Sequence, residues 1–130
     1  MADSEHLALI KRNIDSWNQW REINSSDTPD LSEADLRNAD LCLANLRNAD
    51  LSGASLIMAN LTGADLRRAS LRAANLVGAR MIGVDLAQAD LSDADLRTAE
   101  DLTDEQIAET RGNAATILPE GVNRPAHWTK

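Results

Sequence analysis

A large aliphatic residue recurs every five positions from Leu31 to Leu96. The centres are Leu31, Leu36, Leu41, Leu46, Leu51, Leu56, Leu61, Leu66, Leu71, Leu76, Met81, Leu86, Leu91 and Leu96, fourteen in all with one conservative exchange. Ala stands two residues before each centre from Ala34 to Ala94, with Pro29 and Val84 as departures. The residue between is usually short and polar, as in Asp35, Asp40, Asn45, Asp50, Asn60 and Asp65; Ser55, Ser70 and Arg80 depart from this. The unit Ala-(Asp/Asn)-Leu-x-x thus runs over residues 29–98, and internal repetition governs the reading.

Period five suits neither regular element. In a helix, five steps of ~100° leave successive leucines ~140° apart, so no apolar stripe forms. In a flat strand an odd spacing sends successive leucines to opposite faces. Local propensity favours helix, because Ala, Leu and Arg are good helix formers, but the pattern overrides it. A chain that turns a corner every five residues keeps every Leu and Ala inside. Four corners would close a square of about 20 residues that stacks through backbone hydrogen bonds, although spacing alone does not prove four sides.

These residues resemble the pentapeptide repeat family of bacterial proteins. The resemblance covers about 70 of 130 residues. It implies an all-β solenoid, a right-handed quadrilateral β-helix. In that family the Leu-type centre and the preceding Ala point inward and the other three positions point outward. Fourteen units give about 3.5 coils, a shaft ~17 Å tall at the usual strand separation. Gly53, Gly63, Gly78 and Gly83, with Asn38 and Asn48, all occupy the last position of a unit. These residue types tolerate positive φ in tight turns. The Asp/Asn position suits local bonds to the backbone, so these carboxylates are read as structural first.

Composition agrees. Hydrophobic residues make up 43% of the chain, but aromatics only 2%, and Ala (21) with Leu (18) dominate. Trp17, Trp20 and Trp128 all lie outside the repeat. Open solenoid ends need atypical cover, so residues 1–28 and 99–130 are expected to cap the shaft at 29–98. Residues 4–24 read as one amphipathic helix, started by Asp3 or Ser4, with Leu7, Ile10, Ile14, Trp17 and Arg21 on one face. At the far end the register slips at Glu100-Asp101-Leu102. Thr103 and Gln106 form a capping box for a helix over about 104–111, ended by Gly112. An extended tail follows, packed down by Leu118 and Trp128. The segments flanking the repeat look like those of other bacterial members.

Chemistry is sparse. His6 and His127 have no Cys or His companion in sequence, Cys42 lacks a neighbouring His, and Asp90-Asp93-Asp95 lacks the glycine and distal glutamate of a calcium loop. No phosphate loop or hydrolase elbow occurs, so neither catalytic residues nor a metal or cofactor is expected. No apolar run of 18 residues occurs, and no membrane span is expected. Residues 1–10 lack the features of a targeting peptide, and a cytoplasmic protein is the expectation.

Stacking by 20 lines up Ile57 with Val77 beside Met58, and Cys42 with Thr62 and Ile82 beside Leu43. Cys42, Leu43, Ile57, Met58, Val77 and Ile82 therefore form a candidate surface for a protein partner or for a homodimer, which a terminal cap could also mediate. The first functional expectation is a non-enzymatic interaction scaffold. The alternative comes from resemblance: some family members act on DNA gyrase by imitating duplex DNA with an acidic rod. Net charge is −8, which argues against direct nucleic-acid binding. The repeat holds ten acidic and seven basic residues, net −3, so most of the negative charge lies outside the rod. Its centres are also never Phe, whereas the gyrase-directed members carry Phe inside.

Overall fold

The computed structural model describes residues 1–129 and contains a four-sided coil between two sets of terminal segments. Single-residue parallel bridges join each Asp/Asn position to the residue twenty further on. Asp30 pairs with Asp50, Asp35 with Ser55, Asp40 with Asn60 and Asn45 with Asp65, and the series climbs to Arg80–Glu100. We number the faces by their centres. The first carries Leu31, Leu51, Leu71 and Leu91, and the second Leu36, Leu56, Leu76 and Leu96. The third carries Leu41, Leu61 and Met81, and the fourth Leu46, Leu66 and Leu86. All of these centres are buried, as are the alanines two residues before them from Ala44 to Ala94. Each buried leucine contributes ~2 kcal/mol of transfer free energy, so the stack is held mainly by its interior.

The corners explain how a chain of helix formers turns every five residues. The residue two after each centre adopts φ between +57° and +70° at all fourteen units. A bond back across the corner closes each turn, as where the Ala34 N–H donates to the Leu31 carbonyl at 3.1 Å. Gly53, Gly63, Gly78 and Gly83 take this conformation freely, whereas Glu33, Leu43, Met58, Arg68, Ala73 and Gln88 adopt it against their steric preference. The polar position locks the same turn. The Arg37 N–H donates to Asp35 Oδ1 at 3.2 Å, and equivalent bonds recur at Asp50, Asn60, Asp65, Asn75, Asp85, Asp90 and Asp95. Three Asp-Leu-Arg triplets add a fork. Arg37, Arg67 and Arg97 close on Asp35, Asp65 and Asp95 through Nε and a terminal nitrogen.

The amino-terminal segment differs from the single helix expected over residues 4–24. It forms α1 (Ser4–Arg12) and α2 (Ile14–Ile23), broken at Asn13. Asn13 is extended, at φ −173° and ψ 159°, and its side chain accepts from the Ser16 N–H, so it caps the second helix instead of continuing the first. The pair bends under the first coil and meets its unpaired backbone. The Asp3 N–H donates to the Asp30 carbonyl, and His6 Nδ1 accepts from the Asp30 N–H, both at 2.9 Å. Trp17 Nε1 donates to the Asn45 carbonyl at 2.8 Å, and Asn18 Oδ1 accepts from the Asn45 N–H at 2.8 Å. Arg21, only 2% exposed, donates to the carbonyls of Asp27 and Arg47.

At the other end the ladder runs past residue 98. Arg111 pairs with Asp90, and Ile117 pairs with Asp95. Asp101 turns in the left-handed region, after which Leu102 and Ile107 are buried one position later than a strict grid would put them. The helix expected over 104–111 is correspondingly shorter. α3 spans Asp104–Ile107 behind the anticipated Thr103/Gln106 capping box, because Thr110 and Arg111 are drawn into the coil. The tail is not wholly extended. It turns at residues 114–115, and Ala126–Thr129 forms a 3₁₀ turn that lays Trp128 against Gly112.

Candidate partner surface

The six sequence-selected residues fall on two adjoining faces and the corners beside them. Ile57 and Val77 stand one above the other on the second face, tied by the Met58 N–H to Val77 carbonyl bond at 2.9 Å. Cys42, Thr62 and Ile82 form the corresponding column on the third face. Cys42, Ile57 and Val77 are half-buried.

Met58 and Leu43 do not belong to those columns. Both occupy left-handed corners, one at each edge of the third face, with φ of 60° and 63°. Glycine in the next coil makes room for each. The Met58 side chain reaches over Gly78, and Leu43 Cδ2 would lie 2.8 Å from a Cβ placed on Gly63. The two apolar side chains are therefore laid along the corner instead of pointing straight out. Leu43 is 71% exposed, Met58 57% and Ile82 52%, and within residues 29–98 these are the large apolar side chains that solvent reaches most. The centre of the face, Asn60, Thr62 and Gly63, carries no charge. Asp40 bounds it below, and the Arg80–Glu100 pair, at 3.9 Å, bounds it above.

The surroundings of Cys42 disfavour its thiolate. Partial burial and the Asp40 carboxylate push its pKa up, with Arg80 opposing more weakly. The acidic column residues serve the turns. Asp35 is held well below the usual carboxylate range by the Arg37 fork and the Arg37 backbone N–H. Asp95 is lowered in the same way by Arg97. Among the described residues no cluster of three or more His, Cys, Asp or Glu could hold a metal ion, and no helix is long and apolar enough to cross a membrane. His6 bonds the Asp30 N–H and packs at a tilt against Trp20, ring centroids 5.0 Å apart, while His127 meets the Thr110 carbonyl, so each histidine packs a terminal segment.

Two features lie beyond what the sequence pattern conveys. Gly63 and Gly78 seat Leu43 and Met58, and the only signal for this is a glycine twenty residues above a bulky corner residue. Arg21 is fully buried, and its only signal is that a charged residue shares the apolar stripe of a helix.

The architecture and the motif agree with known proteins. The sequence model of pentapeptide repeats matches residues 30–68 and 64–100. Among solved structures, the pentapeptide repeat protein Rfr23 from the cyanobacterium Cyanothece 51142 superposes with a TM-score of 0.60 at 31% identity, over 68% of this chain. The chain spans 60% of the length of Rfr23. The pentapeptide repeat protein alr5209 from Nostoc PCC 7120 is 32% identical over 82% of this chain and 87% of its own, with a TM-score of 0.31. No curated protein matches. With fourteen units on a twenty-residue ladder and the family's sequence signature across the coil, the chain belongs to the pentapeptide repeat family, whose members fold as right-handed quadrilateral β-helices.

Proposed function

We propose that the chain is a non-enzymatic scaffold that binds another protein through its second and third faces. The observation that carries this reading is the third face itself: an uncharged centre at Asn60, Thr62 and Gly63, with Leu43 and Met58 exposed at its two edges and Ile82 exposed one coil above. Exposed apolar side chains gathered on one face favour an interaction surface over scattered exposure. A solenoid presents such a face rigidly, since each coil is fixed by its neighbours. In this reading residues 1–28 and 99–130 close the two ends of the fourteen-unit coil, the second after first extending its ladder to Ile117, and the free Cys42 thiol fits a reducing, cytoplasmic setting.

The acidic-mimic alternative has less support. Asp35, Asp65 and Asp95 are each forked by an arginine, which breaks up any continuous negative row along the coil.

The test is Ile57→Ser with Val77→Ser on the second face combined with Ile82→Ser on the third. Binding partners captured by affinity pull-down should be lost, or the mass measured by light scattering should fall if the partner is a second copy. Unchanged capture and unchanged mass would retire the surface. A gyrase supercoiling assay with micromolar protein separates the alternative, which requires an effect there.

A further inference from the structure

The fourth face and the corner that follows it set three arginines, Arg47, Arg67 and Arg68, against two carboxylates, Asp65 and Asp85, in a chain whose net charge is −8. Two neighbouring cavities open there. One, of about 420 Å³, is lined by Arg21, Ser25, Ser26, Asn45, Arg47 and Asn48. The other, of about 230 Å³, is lined by Arg47, Arg67, Arg68, Ala87 and Gln88. Arg47 belongs to both walls. Neither lining includes a carboxylate.

The local charges do not balance. Asp65 serves two arginines: Arg67 forks it at 2.7 and 2.9 Å, while Arg47 Nε is left at 3.7 Å, beyond hydrogen-bond distance. Asp85 stands 3.7 Å from Arg67 Nε. Arg68 makes no ion pair within 4 Å among the described residues, and neither does Arg21. Arg21 is the unusual member. It is 2% exposed, its two terminal nitrogens donate to backbone carbonyls, and its Nε has no hydrogen-bond partner among the described residues. A buried guanidinium without its own counter-charge is costly, and its field falls on the cavity that it floors. Asp27 and Asp65 offset that field from a distance, and Arg47 adds to it. The remaining wall offers donors. Among the described residues no protein hydrogen bond engages the side chains of Ser25, Ser26 or Asn48, and guanidinium, hydroxyl and amide N–H groups are the donors that oxyanions take.

We propose that this strip is a binding site for an oxyanion of the phosphate or sulfate class, seated between Arg47 and the Ser25–Ser26 loop above the buried Arg21. The site lies on the face next to the third, uses none of its apolar residues, and stands independently of the scaffold reading.

The test is a titration of the full chain with inorganic phosphate, with sulfate, and with chloride at matched ionic strength, read by thermal unfolding and by the Arg21 Nε–H resonance in ¹⁵N NMR. Phosphate or sulfate should raise the melting temperature saturably, by several degrees beyond chloride, and should shift the Arg21 resonance along the same curve. Arg47→Gln should remove most of both responses, and Arg68→Gln should weaken them about twofold or more. The Arg68 side chain is exposed and that of Arg47 partly so, and circular dichroism checks that the variants are folded. Equal responses to all three salts would overturn the proposal. So would an unsaturable rise or an Arg21 resonance that never moves. If Arg47→Gln cannot be prepared folded, an undiminished response in Arg68→Gln together with a static Arg21 resonance rejects it.

Discussion

Trp128 lies flat on Gly112: its Cε2 and Cε3 atoms each stand 2.6 Å from where a Cβ on residue 112 would be. Gly112 follows Arg111, which pairs with Asp90, so it occupies the place of a coil centre above Leu91. The hole that leucine fills in each lower coil is filled here by an indole sixteen residues later in the chain. Its Nε1 donates to the Thr110 carbonyl at 3.1 Å.

Gly112→Ala should therefore destabilise the protein by ~1–3 kcal/mol, since the methyl cannot fit without displacing the ring. Urea unfolding followed by tryptophan fluorescence measures it. A midpoint within error of the parent would show that Trp128 moves aside freely.

The corner residues make an opposite pair of predictions. Ala73 sits at φ +59°, and replacing it with Gly should stabilise by ~0.5–1 kcal/mol, reversing the usual penalty for Ala→Gly. Gly83 sits at φ +68°, and a methyl on residue 83 would stand 3.8 Å from Gly63 backbone atoms, an ordinary contact. Gly83→Ala thus isolates the backbone term and should cost ~1 kcal/mol. Paired chemical melts decide both signs.

Acid should unfold the coil from a defined side. Asp30, Asp35, Asp40, Asp65, Asp90, Asp95 and Asp104 all have folded pKa values below their ordinary ones, chiefly through hydrogen bonds that favour the charged form. At Asp65 and Asp90 burial opposes that lowering. A depressed carboxylate contributes stability that is present above its unfolded pKa and lost as pH falls through the folded one. Stability should hold above pH ~4 and decline steadily below it. Urea midpoints between pH 7 and pH 2 test this, and a midpoint that rises on acidification contradicts it.

Cys42 should be a slow thiol. Its raised pKa leaves less thiolate at neutral pH than a free cysteine carries. Alkylation by iodoacetamide at pH 7.5 should run several-fold slower than for a small thiol, and Asp40→Asn should speed it by relieving the carboxylate's effect. A rate equal to that of glutathione would contradict the assigned environment.

The coil was legible because one constraint repeats fourteen times: Leu and Ala at fixed offsets call for a corner every five residues, and the resemblance to the family supplied the four sides. The corners were only partly legible. Glycine and asparagine mark some of them, whereas Leu43, Met58, Arg68 and Ala73 adopt the same positive φ because stacking on the neighbouring coil imposes it. The continuation through Leu102, Ile107 and Gly112 keeps the five-residue step, but Asp101 shifts it by one and glycine replaces the expected leucine. A centre filled from elsewhere in the chain leaves no local trace. The break at Asn13 was hidden for another reason. The apolar stripe persists through it, and only the capping preference of Asn separates one long helix from two.

The twenty-residue register also governs how such a chain can grow. Inserting one five-residue unit anywhere between Leu31 and Leu96 would swing everything above it through a quarter revolution, carrying the Trp128 strap around relative to the helices beneath. The apolar columns would then be cut and continued on different sides. Four units added together restore the original facing and lengthen the rod by one storey, ~4.8 Å. Duplications of twenty residues should therefore be tolerated where those of five, ten or fifteen scramble the surface while leaving the interior intact.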